Sequence, residues 1–189
     1  MRACTSVIVE IRGNNSLNTG EKYTADAQYI SSQEWALEFA NLKRAIINGL
    51  GGDKLGDGQS PEAKAARDKL EAIYPGVPVE ELLDMTTKQL CKVRDLSKLL
   101  GKTVPVRQST AKAFSQEING IIGGTDEAGH AACWPLIRVV KVGLRSSILQ
   151  NGLVLVDLPG QGDFNSARAR VADSYLRMLN HIWVVAKIS

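Results

Sequence analysis

Strand-forming sequence is concentrated at the two ends of this chain, so any sheet it builds must join segments that are far apart in the sequence. Near the N-terminus, Val7, Ile8, Val9 and Ile11 form a β-branched run that stops at Gly13-Asn14-Asn15, which predicts a strand over residues 5–12. Toward the other end, Leu136-Ile137-Arg138-Val139-Val140-Lys141-Val142 is followed, after a polar turn, by the solid run Leu153-Val154-Leu155-Val156. That run is apolar on both faces. It suits a central parallel strand covered on both sides, as in α/β architecture. A helix over residues 166–179, with Val171, Tyr175 and Met178 inward, then leads to a further strand, Ile182-Trp183-Val184-Val185-Ala186, completing one right-handed crossover unit.

Between these ends the apolar period changes from 2 to 3.6. Residues 21–30 have the composition of a second strand. Ser31 with Glu34 makes a capping-box pattern ahead of Trp35, Phe39, Leu42 and Ile46, and Gly49 supplies a stop. Ser60-Pro61 opens a helix whose Ala63, Ala66, Leu70 and Ile73 share a face, ended by Pro75-Gly76. A helical region over residues 79–100 carries Leu90, Val93, Leu96 and Leu100 on one side, with a break near Met85-Thr86 and Gly101 at its end. Residues 110–122 repeat the pattern with Ala111, Phe114, Ile118 and Ile121. These stripes are what any amphipathic helix needs for packing and point to no ligand. The reading is an α/β core from residues 1–13 and 136–189, with residues 14–135 as a large, mainly helical insertion.

Composition narrows the function classes. With 189 residues, 44% of them apolar, the chain can bury one real core. The 23 Lys and Arg against 20 Asp and Glu leave +3 without a basic block or aromatic interleaving, which gives nucleic-acid binding no support. Cys4, Cys91 and Cys133 form neither a disulfide framework nor a CxxC pair, consistent with a reducing compartment. The N-terminal apolar run is too short for a signal peptide, and no stretch approaches the roughly 20 apolar residues that span a bilayer. The expected location is cytoplasmic or nuclear. No basic amphipathic helix or lipid-anchor motif supports membrane binding.

Chemistry concentrates at Asp157-Leu158-Pro159-Gly160, placed where the apolar run 153–156 ends. Ligands of open α/β sheets bind beyond the carboxyl ends of the strands. In nucleotide hydrolases of the P-loop class an Asp so placed holds Mg²⁺, usually through water, and a Gly three residues later brings a backbone N–H to the γ-phosphate. By itself, Asp-x-x-Gly also marks ordinary turns. Thr5, just ahead of the N-terminal strand, stands where a switch threonine would ligate Mg²⁺; a lone Thr there is equally a strand residue.

Three segments together are more specific: Arg2-Ala3-Cys4-Thr5-Ser6-Val7, the stretch Gly152-Leu153-Val154-Leu155-Val156-Asp157-Leu158-Pro159-Gly160-Gln161-Gly162-Asp163, and His181-Ile182-Trp183-Val184-Val185-Ala186. In this order they resemble dynamin-family large GTPases, most nearly the nuclear, SLIP-GC-like branch. The resemblance implies a P-loop α/β GTPase fold with a helical extension, GTP and Mg²⁺ as ligands, GTP hydrolysis and, often, self-association. Position by position, it implies Thr5 as the switch I threonine and a Mg²⁺ ligand, Asp157 as the Mg²⁺-associated aspartate, and Gly160 as the γ-phosphate contact. Gln161 departs from the apolar residue usual in dynamin-like proteins, and its amide is either a water-orienting group or an exposed loop glutamine.

The phosphate-binding loop of such an enzyme, GxxxxGK[ST], is not found in the 189 residues. Its expected place is before Met1, and the guanine-reading N/TKxD-like segment would follow residue 186. Gly101-Lys102-Thr103 has the final GKT but follows a helix and runs into Val104-Pro105-Val106, and Gly49-Leu50-Gly51-Gly52-Asp53-Lys54 has Asp before Lys. Neither opens a helix toward a phosphate. Without the loop's Lys and its N–H donors, nucleotide binding is expected to be weak or absent and hydrolysis impaired. The rival reading is a non-enzymatic module that offers its helical insertion to a protein partner and retains relic switch residues. Without the loop's preceding strand, residues 153–156 are expected to keep an open edge, which implies marginal stability or self-association unless another segment covers it.

Overall fold

The N-terminal run forms β1 (Val9–Gly13) and pairs in parallel with β4 (Ile137–Leu144), Val9 opposite Val140. The computed structural model describes residues 7–15, 19–50, 60–122, 133–158, 172–173 and 175–183. Within it, β2 (Tyr23–Tyr29), β3 (Thr103–Gln108) and β5 (Leu155–Asp157) complete a five-stranded sheet of order β3-β2-β4-β1-β5. β2 is antiparallel to both β3 and β4, and β5 is antiparallel to β1. The architecture is α/β, and its sheet is mixed.

The segment 14–135 contributes α1 (Ser32–Leu50), α2 (Pro61–Ile73), α3 (Val79–Asp84), α4 (Thr87–Val93) and α5 (Ala111–Ile122), and also β2 and β3 of the same sheet. Local chemistry sets the helix starts. Ser31 and Glu34 form the expected capping box: the Ser31 N–H donates to the Glu34 carboxylate at 2.8 Å and the Glu34 N–H to the Ser31 hydroxyl at 3.2 Å. Burial would raise the Glu34 pKa, but the Ser31 bonds and the Arg138 guanidinium outweigh it and hold the carboxyl below its ordinary value. Ser60 caps α2 through the Ala63 N–H, with Pro61 at the first helical position. The expected break near Met85 is a second capping box, Thr86 with Gln89, which ends one helix direction and starts the next.

The main core lies on one face of the sheet. Ala25, Ala27, Val106, Val140 and Val142 meet Trp35, Phe39, Leu42, Ile46, Leu70, Ile73, Leu90 and Leu96 there. Trp35 is fully buried, its ring 6.0 Å from Phe39 and 6.5 Å from Tyr74 between centroids. Burial and nearby Cys133 push the Tyr29 phenol up to about 12, with Arg94 working against them. Tyr74 is raised further, again by burial first.

Four sequence expectations need correction. The run 153–156 is not a central parallel strand: β5 is short, antiparallel and at the end of the described sheet, and Leu153, Val154 and Leu155 are 41–44% exposed. An apolar run records strand propensity but not how many neighbours a strand finds. Val93 does not join Leu90, Leu96 and Leu100 but is 47% exposed, because α4 stops there and the chain turns through left-handed Asp95 (φ 49°), breaking the helical period. Met178 is 68% exposed rather than inward. Ile182 and Trp183 are exposed and not in a strand; residues 184–186 lie outside the described residues, as does Val171.

Trp35→Ala is expected to lower unfolding free energy by about 3–5 kcal/mol, while Val93→Ala stays within about 0.5 kcal/mol, both read from urea unfolding. A second expectation concerns alkaline pH. A phenol whose folded pKa is raised gives stability that is complete below the unfolded value of about 10 and is lost as pH rises toward the folded value. The urea midpoint is therefore expected to fall between pH 10 and about 12, and Tyr29→Phe is expected to flatten that fall.

Candidate functional site

The short strand β5 ends on Asp157, and its register fixes what surrounds that carboxylate. Ile11 lies opposite Leu155, Glu10 opposite Val156 and Val9 opposite Asp157. Because the two strands run antiparallel, the N-terminal end of β1 sits beside the carboxyl end of β5. Val7, two residues after Thr5 in sequence, is thus at the same end of the sheet as Asp157. Asp157 is exposed and shares a face with Val9 and Val140, whereas Val156 before it and Leu158 after it face the other way. Leu158 and Val156 pack with Tyr175 against a satellite core of Ile8, Val139 and Ala172. Those contacts anchor the backbone on both sides of Asp157.

Of the predicted site residues, only Asp157 is located by the structure. Thr5, Gly160 and Gln161 lie outside the described residues. Among the described residues no group of three His, Cys, Asp or Glu is arranged to hold a metal ion. Asp157 supplies a single exposed carboxylate, which fits a water-mediated Mg²⁺ contact but would need further donors to make a site.

Gly101-Lys102-Thr103 is no phosphate cradle. The Gly101 N–H donates to the Ile30 carbonyl at 2.8 Å and the Lys102 N–H to the Leu99 carbonyl at 3.0 Å, while Thr103 already begins β3. Gly101 has φ 75°, the left-handed geometry of a turn that reverses the chain into a strand. Of Gly49-Leu50-Gly51-Gly52-Asp53-Lys54, the first two residues continue α1 and the rest lie outside the described residues. A cavity of about 530 Å³ borders Arg67, Glu71, Pro75, Gly76 and Glu80, where an Arg67–Glu80 ion pair of 2.8 Å crosses exposed surface. None of the residues around Asp157 lines it.

Beside the Asp157 strand lies a polar cluster that motif reading did not single out. Glu10, only 9% exposed, accepts a hydrogen bond from the Tyr175 hydroxyl, and its other oxygen is 3.7 Å from the Arg12 Nε. Burial raises the Tyr175 pKa, and the Glu10 carboxylate raises it further by favouring the neutral phenol. Lys141 is the register partner of Glu10 on β4, and Asp26 is the partner of Lys141 on β2. Asp26 in turn pairs with Arg107 at 2.7 Å. Charges therefore alternate across this face of the sheet. The sequence did contain a signal: in the otherwise apolar run of β1, Glu10 falls in the period-2 set with Ile8 and Arg12, so a charge had to enter one face of the sheet.

No protein-family model matches the chain. It is 30% identical over 196 residues to the mouse nuclear GTPase SLIP-GC and 29% identical over 198 residues to the human one, in each case over 98% of this chain and 24% of the relative. The chain thus spans about a quarter of the length of these relatives. Among solved structures, a bacterial dynamin described as an oligomerised pair that senses and tethers membranes superposes with a TM-score of 0.41 at 14% identity, over 90% of this chain and 20% of that one. The chain is therefore homologous to part of the nuclear GTPases SLIP-GC, the branch of dynamin-like GTPases that its two ends resemble.

Proposed function

We propose that these residues are the switch-bearing part of a dynamin-like GTPase domain, and that by themselves they bind GTP weakly and hydrolyse it poorly. The observation that supports this most is the placement of Asp157: it ends a strand, is exposed, and lies beside the N-terminal end of the strand that follows Thr5, in a chain homologous to named GTPases. In this reading Asp157 and Thr5 would be the residues that hold Mg²⁺. The Gly160 N–H meets the γ-phosphate, and the Gln161 amide orients the attacking water. Mg²⁺, when bound, would neutralise charge that develops on the phosphates.

The proposed impairment rests on chemistry that the 189 residues do not contain. Tight nucleotide binding in this class depends on a Lys and a nest of backbone N–H groups around the β- and γ-phosphates, each a charge-assisted hydrogen bond. Asp157, being an anion, repels phosphate unless a cation stands between them. Guanine nucleotide is the proposed ligand of the completed domain, self-association its proposed assembly, and the nucleus its proposed location by analogy with the relatives' names. The alternative, a protein-interaction module, is favoured by half-exposed Leu37 and Ile47 on α1.

A fluorescent GTP analogue titrated into the chain with and without Mg²⁺ is expected to show binding weaker than about 10 µM that requires Mg²⁺ and is lost in Asp157→Ala. Micromolar or tighter binding abolished by that substitution overturns the impairment. Binding that ignores both Mg²⁺ and Asp157→Ala overturns the role given to the aspartate.

A further inference from the structure

The helical residues 172–173 and 175–178 lie on the sheet face opposite the main core, and among the described residues little apolar surface keeps them there. Ala172 is the one side chain among them that is fully buried; Tyr175 is partly so, and Leu176 and Met178 remain exposed. Among the described residues a strong polar contact adds to this thin adhesion, the Tyr175 hydroxyl donating to the Glu10 carboxylate. A hydrogen bond to an ionised acceptor is stronger than one between neutral groups, and a buried carboxylate that loses a donor keeps its desolvation cost. Glu10 has Arg12 at 3.7 Å as a longer contact on its own strand and Lys141 beside it in register on β4. Neither of those groups reaches from the helix.

We infer that the Tyr175–Glu10 hydrogen bond is a conformational latch that holds the helical residues 172–173 and 175–178 onto β1 and β5, so that they dock and undock together while the main core stays folded. The latch spans 165 residues of sequence and crosses directly behind Val156, the residue before Asp157. Breaking it would release Tyr175 from the satellite core and remove the cover from Ile8, Val156 and Leu158. Segments with few buried apolar groups open at lower free energy than the core, which makes such a helix a separate cooperative unit. The consequence for the carboxylate at the strand end rests on the function proposed above; the latch itself does not.

Hydrogen exchange of the 189-residue chain, without nucleotide, tests it. In Tyr175→Phe and in Glu10→Gln, amides of residues 175–179, including the Leu179 N–H that bonds to the Tyr175 carbonyl at 3.0 Å, are expected to exchange about tenfold faster or more. Exchange in α1 and α2 is expected to be unchanged, and the double variant to be no faster than the quicker single one. Trypsin cleavage after Arg177 should accelerate in parallel. Unchanged exchange of residues 175–179 in Tyr175→Phe overturns the latch, as does an equal rise throughout α1 and α2 in that conservative variant. Because neither readout uses GTP, failure of the nucleotide titration and failure of the latch are separate results.

Discussion

The parallel pairing of β1 with β4 is the constraint on which the rest of the structure depends. It joins Val9 to Val140 and Ile11 to Val142, placing the two ends of the strand-rich sequence at the centre of one sheet. β2 then attaches to the far side of β4, β3 follows it outward, and β5 closes on the other side of β1. Such distant contacts are entropically costly to form, and they are held by burial: Val140 and Val142 are buried where they meet the helices of the intervening segment. The strand ends and the helical layer are thus mutually dependent. Neither has a complete core without the other.

That sheet has two unlike faces, and the contrast explains where chemistry can sit. One face is sealed by α1, α2, α4 and α5 through large apolar side chains. The opposite face carries Glu10, Lys141 and Asp26 across neighbouring strands and a small satellite core at the β1–β5 end. Charges on a sheet face are tolerable when opposite signs adjoin, as they do here. Asp157 lies on the same side as Val9 and Val140, but at the short end of the sheet where β5 has only β1 beside it among the described strands. There it remains exposed.

Several features are set by local chemistry alone. The Ser31–Glu34 box, the Ser60-Pro61 start and the break at Met85-Thr86 are encoded within one helical turn of sequence, where backbone donors must find partners close by. The resemblance to dynamin-like GTPases was likewise legible in short segments at the two ends, and the chain's similarity to the nuclear GTPases SLIP-GC agrees with it. Less legible were properties set by distant neighbours. The run 153–156 looked buried on both faces, yet exposure depends on which strands and helices arrive beside it. Val93 and Met178 kept the helical period in the sequence, but a chain reversal at Asp95 and a shallow docking surface left them in solvent.

By itself the sequence determined the strand and helix types of most described segments, because those follow from side-chain period and from short-range capping. It also singled out Asp157 as a candidate, since an acidic residue closing an apolar strand and followed by Leu-Pro-Gly needs no distant partner to be recognised. Only the tertiary structure decided that β5 runs antiparallel at the sheet end, that β2 and β3 join the same sheet, and that Glu10 meets Tyr175 across 165 residues. The physical reason is that strand order and polar pairing are settled by long-range burial and hydrogen-bond satisfaction, which no local stretch of residues contains.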